Sequence, residues 1–374
     1  MKIFFVIDTL ETGGAEKSIL EIASRLPEDL VPYIITFYKT RNPITTSVQQ
    51  SAKIHFVHFD MEEKYGFKKG RKLFSELCKT ENPNIVVATL FRSEIITRVV
   101  CKKMNIPNIG TFVNDTYSPY ELQSLSATMR LKIGFFKIVN SFTARYCTHF
   151  LSNAQSIKVS NAKALKIPAD KISVIYRGRD ISKFTYREQK EKSNGVIRFL
   201  NVGRLLPRKG QAELIQAFAL FQKKYPVASL SIAGEGRYRA ELERLINENN
   251  LQECVQLLGT SSDVNALFQH HDFFVFPSHY EGFSGAVVEA MLAGAPVIAS
   301  DIEMNKEAIS HLQTGYLFPV KNAVAMADAM EYAVKNREKM QTMAKNARQY
   351  AIDNFDINKI ALAHADFYKK IISQ

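Results

Sequence analysis

The sequence has few cysteines and no long apolar run, and each absence excludes a class of protein. Its four cysteines are scattered without a Cys-x-x-Cys pair, which predicts neither a disulfide framework nor a zinc site and is typical of a reducing cytosol. No run approaches the roughly 18 apolar residues that a membrane-spanning helix needs. The opening MKIFFVIDTLETGG has too short an apolar core for a signal peptide. We therefore expect a cytoplasmic protein that does not span a membrane.

Acidic residues are scarce in the first half of the chain. Residues 1–183 hold 27 Lys and Arg against 16 Asp and Glu, a net charge of +11, whereas residues 184–374 hold 22 against 21. This excess favours an anionic partner, such as a lipid surface, a phosphorylated substrate or nucleic acid. Nucleic acid is not expected, because the basic residues are not interleaved with aromatic residues and no recognition motif is present.

Short apolar runs alternate with amphipathic stretches twice along the chain. The run KIFFVI (2–7) ends in a glycine turn before a helical pattern, which is typical of the first unit of a parallel sheet. The alternation restarts with VIRFLNVG (196–203), after a polar stretch at 185–195 that we interpret as a linker. From residue 323 onward the pattern is helical. Because 374 residues are more than one core usually supports, we expect two domains.

The expected fold class is therefore α/β, with two Rossmann-like doubly wound domains facing across a crevice. We place the first domain at residues 1–183 and the second at residues 184–357, and we expect a C-terminal helix at about 358–374 to pack back onto the first. In such sheets ligands bind at the carboxyl ends of the strands, and a crevice between domains is a second binding place.

Two glutamates, Glu281 and Glu289, stand eight positions apart in PSHYEGFSGAVVEAMLAGAPVIASD (277–301). Glu281 follows an apolar strand, and the next helix should begin near Ser284, where its first N–H groups and its dipole form an anion site. Glu289 lies about one turn inside that helix among apolar neighbours, where a carboxylate needs hydrogen-bond donors. The hydroxyls of a polyol ligand would supply them; solvent or an internal arginine is the alternative.

A basic turn follows the first strand of the second domain. The segment VGRLLPRKG (202–210) places Arg204, Arg208 and Lys209 at the carboxyl end of that strand. This is the same sheet edge as the loop FSG (283–285) between the two glutamates. Two or three cations that face a helix N-terminus can hold a diphosphate. A solvated basic turn is the alternative, but the convergence of both features on one edge favours the diphosphate site.

These motifs in combination resemble the retaining glycosyltransferases of family 4, which have the two-domain GT-B fold. The resemblance rests on Glu-x7-Glu followed by AMLAGAPVIASD, preceded by GRLLPRKG and SIAGEG, with the TGGAE loop near the N-terminus. It covers nearly the whole chain and is strongest at 200–317. It implies a retaining glycosyltransferase that moves a sugar from a UDP- or GDP-sugar to a glycan or lipid-linked acceptor, in the synthesis of a surface polysaccharide or glycolipid.

The resemblance also implies roles for residues of this sequence. Arg204 and Lys209 would hold the donor diphosphate and stabilise the charge that develops on the leaving group. Glu281 would lie against the donor sugar, and Glu289 would bind the ribose. Further donor contacts are implied for the N–H groups of the helix start, a glycine in the first domain that permits close approach, and a serine near the base: Phe283, Ser284, Gly285, Gly14 and Ser261.

The sequence departs from the family pattern in the first domain. Asn114, followed by Asp115, stands where a histidine is common. Asparagine can hydrogen-bond a sugar but cannot transfer a proton, so Asp115 becomes a candidate for catalytic work on the acceptor beside Asn114. A usual Asn-Gly-Val-Asp run is replaced by IYRGRD (175–180), whose Arg177 and Arg179 are interpreted as phosphate contacts or, preferably, as solvated charges.

A basic amphipathic stretch is the candidate for contact with the surroundings of the acceptor. Residues 121–146 carry Leu125, Met129, Ile133 and Phe136 at helical spacing, with lysines and arginines beside them. Such a helix can lie on an anionic leaflet; a packed helix with solvated lysines is the equal alternative. On the first interpretation the protein makes peripheral contact with the inner face of the plasma membrane.

Two further points concern chemistry. No DxD-like carboxylate pair lies near these loops, so we expect no catalytic metal and no cofactor, the nucleotide sugar being the substrate. Two other classes stay open: another GT-B enzyme, such as a sugar-nucleotide epimerase or phosphorylase, and a non-catalytic binder of nucleotide sugars or polyanions. The Arg204–Lys209 and glutamate motifs argue against the first, and Asn114 is the hint for the second.

Overall fold

The computed structural model folds as two compact units. Unit 1 comprises Met1–Gly178 and Ile357–Gln374, and unit 2 comprises Arg179–Asp356. The boundary expected from the sequence lies slightly later, at 183/184. The structure describes the following residues: 1–11, 13–41, 53–62, 66–119, 122, 125–186 and 195–374. Most of the linker predicted at 185–195, together with Thr12 of the glycine loop, lies outside the described residues.

Unit 1 is built on a seven-stranded sheet with the order β3-β2-β1-β4-β5-β6-β7. All neighbouring strands run parallel. The strands are β1 (Lys2–Ile7), β2 (Val31–Tyr38), β3 (His55–Met61), β4 (Ile85–Ala88), β5 (Asn108–Phe112), β6 (His149–Ser152) and β7 (Ile172–Val174). The order reverses between β1 and β4, and the carboxyl edge beside such a reversal is where doubly wound sheets bind ligands.

Helices cover both faces of this sheet, because its central strand is apolar on both sides. Phe5 and Ile7 of β1 belong to one core cluster, whereas Phe4 and Val6 belong to another, as the period of two in a buried strand requires. The described helices of unit 1 are α1 (Gly14–Ala23), α2 (Gly66–Glu81), α3 (Phe91–Met104), α4 (Ala127–Ala144), α5 (Gln155–Leu165) and α13 (Ile357–Ile372).

The last helix, α13, belongs to unit 1 although it follows all of unit 2 in the chain. Its Ala365, Tyr368 and Ile371 are buried in the same core cluster as Leu20 of α1. The Tyr368 ring packs edge-on against Phe5 of β1, with the ring centres 5.9 Å apart. Among the described residues, no helix of either unit is both long enough and apolar enough to cross a bilayer.

Unit 2 repeats the architecture with a six-stranded parallel sheet in the order β10-β9-β8-β11-β12-β13. Its strands are β8 (Ile197–Val202), β9 (Ala228–Ala233), β10 (Val255–Gly259), β11 (Phe273–Phe276), β12 (Val297–Ser300) and β13 (Tyr316–Phe318). Its described helices are α6 (Gln211–Gln222), α7 (Arg239–Glu248), α8 (Val264–His270), α9 (Gly285–Ala293), α10 (Glu303–Lys306), α11 (Ala323–Lys335) and α12 (Arg337–Asn354). The order reverses between β8 and β11, the two strands that precede the basic turn and the glutamate loop.

Candidate active site

The basic turn after β8 is held against the loop after β11. Pro207–Lys209 form a 3₁₀ turn, and the backbone N–H of His279 donates to the carbonyl oxygen of Arg208 at 2.8 Å. Gly210, which follows with φ of 68°, lies so close that a Cβ there would be 2.1 Å from the carbonyl oxygen of Pro277. Only glycine permits that approach. The two loops therefore meet at the carboxyl edge of the sheet.

Lys209 and Glu281 form a buried ion pair where these loops meet. The Lys209 ammonium lies 2.5 Å from Glu281 Oε1, and the two side chains are 13% and 10% exposed. Burial alone would raise the pKa of the Glu281 carboxyl, but the charge and hydrogen bond of Lys209 hold that pKa below its usual value. Because an ammonium has three N–H donors, Lys209 can bind a phosphate oxygen as well as Glu281.

Two arginines add positive charge beside this pair. Arg204 is exposed on the loop directly after β8. The Arg208 guanidinium lies 5.0 Å from the ring centre of Tyr280, the residue before Glu281. The basic turn therefore presents an exposed cation and a buried, paired one at a single edge, which is a chemically suitable arrangement for a diphosphate.

The helix that carries the second glutamate, α9, begins near the residue that the sequence predicts. Its first residue is Gly285, and the hydroxyl of the N-cap residue Ser284 accepts a backbone N–H of the first turn. Phe283 is buried and packs edge-on against Phe355, with ring centres 5.0 Å apart. Gly294 ends the helix in the left-handed conformation, with φ of 73°. Because first-turn N–H groups lack partners within a helix, this end can receive an anion.

Glu289 pairs with an arginine instead of facing solvent. Nε of Arg179 donates to Glu289 Oε1 at 2.6 Å, and the two side chains are 8% and 13% exposed. The interpretation of Arg179 as a solvated charge is therefore wrong, and the internal-arginine alternative for Glu289 is what the structure contains. A carboxylate has about four acceptor positions, so this pairing and a bond from a ribose hydroxyl are compatible.

Two other loops of unit 2 border the same sheet edge. Ser261 follows β10, which is separated from β8 by the single strand β9. Asn305 is buried and donates from Nδ2 to the carbonyl oxygen of Ser300 at 2.8 Å. Asn305 therefore fixes the loop after β12.

In unit 1, Asn114 and Asp115 lie just after β5. Asn114 is exposed, and its carbonyl oxygen accepts from Nδ2 of Asn161 at 3.2 Å. Oδ1 of Asp115 accepts from the Ser160 hydroxyl at 2.5 Å. Burial raises the pKa of Asp115, although the Ser160 hydrogen bond opposes that shift. A raised pKa makes an aspartate a better proton acceptor, which is the direction that a general base for a sugar hydroxyl needs.

Gly14, at the start of α1, lies against Arg177. A Cβ at position 14 would be 2.9 Å from a guanidinium nitrogen of Arg177, and Nε of Arg177 donates to the Ser18 hydroxyl at 2.9 Å. Arg177 is half-buried, so the interpretation of it as a solvated charge is wrong as well. The missing side chain at Gly14 makes room for this guanidinium.

The basic turn and the glutamate loop of unit 2 meet at one sheet edge, as the sequence predicts, but the Arg179 partner of Glu289 could not be identified from the sequence. Arg179 was singled out as a departure from the family pattern, yet its contact with Glu289 spans 110 positions and has no local signal.

Within the described ranges, no group of three or more His, Cys, Asp or Glu side chains is arranged to hold a metal ion.

Comparison with known proteins adds evidence independent of this geometry. Residues 182–350 match the family model described as "Glycosyl transferases group 1". The UDP-Gal:alpha-D-GlcNAc-diphosphoundecaprenol alpha-1,3-galactosyltransferase of Escherichia coli is 26% identical over 370 residues, covering 95% of this chain and 93% of the relative. The N-acetylgalactosamine-N,N'-diacetylbacillosaminyl-diphospho-undecaprenol 4-alpha-N-acetylgalactosaminyltransferase of Campylobacter jejuni is 24% identical over 371 residues, covering 96% and 97%. The crystal structure of Anabaena HepE in complex with UDP is similar with a TM-score of 0.82 at 21% identity, covering 99% and 100%.

Each unit is a parallel α/β sheet covered by helices, and the similarity to HepE along the whole chain confirms the expected GT-B fold. Most of unit 2 lies within the range that matches this family model. The relatives along the whole chain confirm the expectation that the protein is a glycosyltransferase.

Proposed function

We propose that the protein is a retaining, metal-independent glycosyltransferase of family 4 that transfers a sugar from a nucleoside diphosphate sugar to a lipid-linked glycan. The observation that carries the proposal is the buried Lys209–Glu281 pair beside the N-terminus of α9. A UDP-linked donor is supported by the UDP in the HepE complex. A lipid-linked acceptor is supported by the diphospho-undecaprenol in the names of both relatives. Such a transfer would serve the synthesis of a surface polysaccharide or glycolipid.

In this proposal the donor diphosphate is held from two sides. Lys209 and Arg204 approach it from the loop after β8, and the N–H groups of Phe283, Ser284 and Gly285 approach it from the helix start. Breakage of the sugar–phosphate bond leaves negative charge on the diphosphate, and fixed donors of this kind stabilise such charge by several kcal/mol. Since protein cations would do this work, no metal or other cofactor is required.

The two glutamates have separate tasks in this proposal. Glu281 accepts hydrogen bonds from hydroxyls of the donor sugar, while Lys209 keeps the Glu281 carboxylate in place. Glu289 accepts hydrogen bonds from the ribose hydroxyls. Ser261 lies near the base. In unit 1, Gly14 borders the donor, Asn114 hydrogen-bonds a sugar group and Asp115 takes the proton of the acceptor hydroxyl.

A transfer assay tests this function. UDP-galactose, UDP-N-acetylgalactosamine, UDP-glucose and GDP-mannose are first ranked by the rise in melting temperature that each produces. The best donor is then incubated with a short-chain polyprenyl diphosphate N-acetylglucosamine, with and without EDTA, and the anomer of the product is determined by NMR. We expect an α-linked product from the α-linked donor at a rate that EDTA leaves unchanged.

Each part of the proposal has its own contrary result. A β-linked product would contradict retention, and a rate abolished by EDTA would contradict metal independence. Donor binding without transfer to any lipid-linked glycan would favour the non-catalytic binder.

The proposal includes peripheral contact of unit 1 with an anionic membrane through α4. Four apolar residues on this helix, which we call the outer stripe, are exposed by 77%, 63%, 69% and 57%: Leu131, Phe135, Ile138 and Phe142. Their spacing of four, three and four places them on one helical face. Exposed apolar residues in such a row indicate an interaction surface.

The outer stripe is not the face that the sequence analysis singled out. Ile133 and Phe136 of the predicted set instead line a cavity of about 210 Å³ that Asn114 also borders. Exposed Arg130, Lys132 and Arg145 flank the outer stripe, and the Arg145 guanidinium lies 3.7 Å from the ring centre of Phe142. Apolar side chains between cations suit insertion among anionic headgroups.

Vesicle binding tests this contact. We expect the full chain to sediment with phosphatidylglycerol vesicles at low salt and to be released as salt screens the cations. Phosphatidylcholine vesicles of equal size serve as the control. Undetectable binding to the anionic vesicles at low salt would refute the contact and would leave the proposed transfer reaction untouched.

A further inference from the structure

Arg179 is held in place by main-chain contacts before its side chain is considered. It is the first residue of unit 2, and in the IYRGRD run it stands where the resemblance leads one to expect a valine. Its backbone N–H donates to the carbonyl oxygen of Phe355 at 2.8 Å, and it forms a β-bridge with Asp356. The side chain therefore starts from a fixed position beside α9.

The Arg179 guanidinium lies along the face of α9 that carries Glu289. Nε is 2.6 Å from Glu289 Oε1. At Gly285, a Cβ would lie only 1.6 Å from a terminal guanidinium nitrogen and 2.6 Å from Cζ. Positions 285 and 289 are one helical turn apart on the same face. The guanidinium thus occupies the space that any side chain at position 285 would fill.

This contact restricts the Glu289 carboxylate. A free glutamate side chain has several rotamers, whereas a charge-assisted hydrogen bond is short and directional. Both side chains are nearly excluded from solvent, so the carboxylate would be left as an unpaired buried charge if the arginine were removed. A valine at position 179 could provide neither effect.

We propose that Arg179 is a positioning residue for ribose recognition. Through its bond to Glu289 it aims the carboxylate at the ribose hydroxyls of the donor, and it thereby sets the preference of this enzyme for ribonucleotides. The inference rests on the proposed function, in which Glu289 binds the ribose, and it adds a residue that itself touches no substrate.

Two other roles for Arg179 predict different behaviour. If Arg179 bound the diphosphate, its removal would weaken the binding of ribonucleotides and of dideoxynucleotides equally. If it competed with the ribose for Glu289, its removal would tighten the binding of ribonucleotides. A positioning role predicts a selective loss, confined to ligands that carry ribose hydroxyls.

Calorimetric titration of the full chain separates these roles. The probes are UDP with its 2′,3′-dideoxy counterpart, and GDP with its dideoxy counterpart as the second pair. We expect the wild type to bind the better ribonucleotide about tenfold or more tighter than its dideoxy form, as a hydrogen bond to a charged group implies. In Arg179→Met and in Glu289→Gln this ratio should fall below about threefold. The double variant should show no further loss, because both changes remove one interaction.

Two more variants control the experiment. Gly285→Ala retains the backbone N–H but displaces the guanidinium, so it should reduce the ratio as Arg179→Met does. Lys183→Met removes an exposed cation four positions away and should leave the ratio unchanged. If Arg179→Met alone does not fold, Gly285→Ala and the double variant, which leaves no unpaired charge, decide the question.

Several results would overturn the inference. The inference would be wrong if Arg179→Met left the ratio of ribonucleotide to dideoxynucleotide affinity unchanged, or if it weakened the binding of both members of a pair equally. It would also be wrong if Arg179→Met bound ribonucleotides more tightly, or if the wild type did not prefer ribonucleotides. Sugar transfer by the wild type is measured in parallel, so that failure of this inference is distinguished from failure of the proposed function.

Discussion

Unit 2 arranges its candidate site from paired charges, whereas unit 1 does so from single hydrogen bonds. In unit 2, Lys209 and Arg179 each hold a glutamate in a nearly buried ion pair. In unit 1, Asn114 is exposed and is anchored through its backbone carbonyl, and Asp115 has a hydroxyl partner. The charge balance differs too, since the excess of cations lies in residues 1–183.

The difference matches the ligands that we propose for the two units. A diphosphate and a ribose are small and chemically constant, so a rigid arrangement of buried charges suits them. An acceptor attached to lipid is met at a surface, where exposed apolar residues and exposed cations act together. The comparison can be sharpened or broken by four measurements, from the largest expected effect to the smallest.

The largest effect is expected at the buried lysine of unit 2. Lys209→Met removes a donor to the leaving group and should lower kcat/KM for transfer about 100- to 1000-fold. Lys224→Met is the matched control, because Lys224 also pairs with a glutamate, Glu331, but its side chain is 63% exposed. A loss below about tenfold in Lys209→Met with an unchanged melting temperature would remove Lys209 from the reaction.

A somewhat smaller effect is expected at the aspartate of unit 1. Asp115→Asn can still accept from Ser160 but cannot take a proton, so kcat should fall about 100-fold while donor affinity stays constant. In the wild type, kcat should fall as the pH drops through the raised pKa of Asp115, because a base must be ionised to act. Asp170→Asn, an exposed site in the same unit, should change neither quantity. A parallel loss of donor affinity in Asp115→Asn would contradict a role confined to the acceptor.

The stability of unit 1 should depend on the half-buried His364. Burial lowers the pKa of His364 to about 4, whereas an unfolded histidine has a pKa near 6.5. Between these values the unfolded chain binds a proton that the folded chain does not. The free energy of unfolding should therefore fall by about 2 kcal/mol from pH 7 to pH 5 through this residue.

Urea unfolding at the two pH values measures the effect of His364. His364→Gln keeps a polar group near the Tyr368 hydroxyl, which lies 3.0 Å from Nδ1, and should remove most of the dependence. His270→Gln, an exposed histidine of unit 2, is the control. An equal pH dependence in the wild type and His364→Gln would show that other groups determine it.

The smallest effect is expected on membrane binding. Phe135→Ser with Phe142→Ser removes half of the outer stripe and should weaken partition into phosphatidylglycerol vesicles about tenfold or more, given the free energy of burying a phenylalanine side chain. Leu220→Ser with Val324→Ser removes two exposed apolar residues of unit 2 and should leave partition unchanged. Equal losses in both double variants would show that the outer stripe has no special role.

In both units the elements that depend on local signals could be predicted from the sequence, whereas contacts between distant segments could not. The β1 strand and the start of α9 follow from apolar runs, a cap residue and glycines, which act within a few residues. The pairing of Glu289 with Arg179 depends on a contact across two distant segments. The sequence could not indicate which face of α4 is exposed, because both faces carry apolar residues. Only packing against the rest of unit 1 determines which of them is buried.

The discontinuity of unit 1 has a consequence for biosynthesis. Its helix α13 is translated after the whole of unit 2, yet Tyr368 fills the core beside Phe5. On the ribosome, the segment that emerges first must wait for that helix, while unit 2 has all of its own chain earlier. The amino-terminal unit is therefore the later one to mature, and a stalled or shortened product would expose apolar surface in the part that was made first.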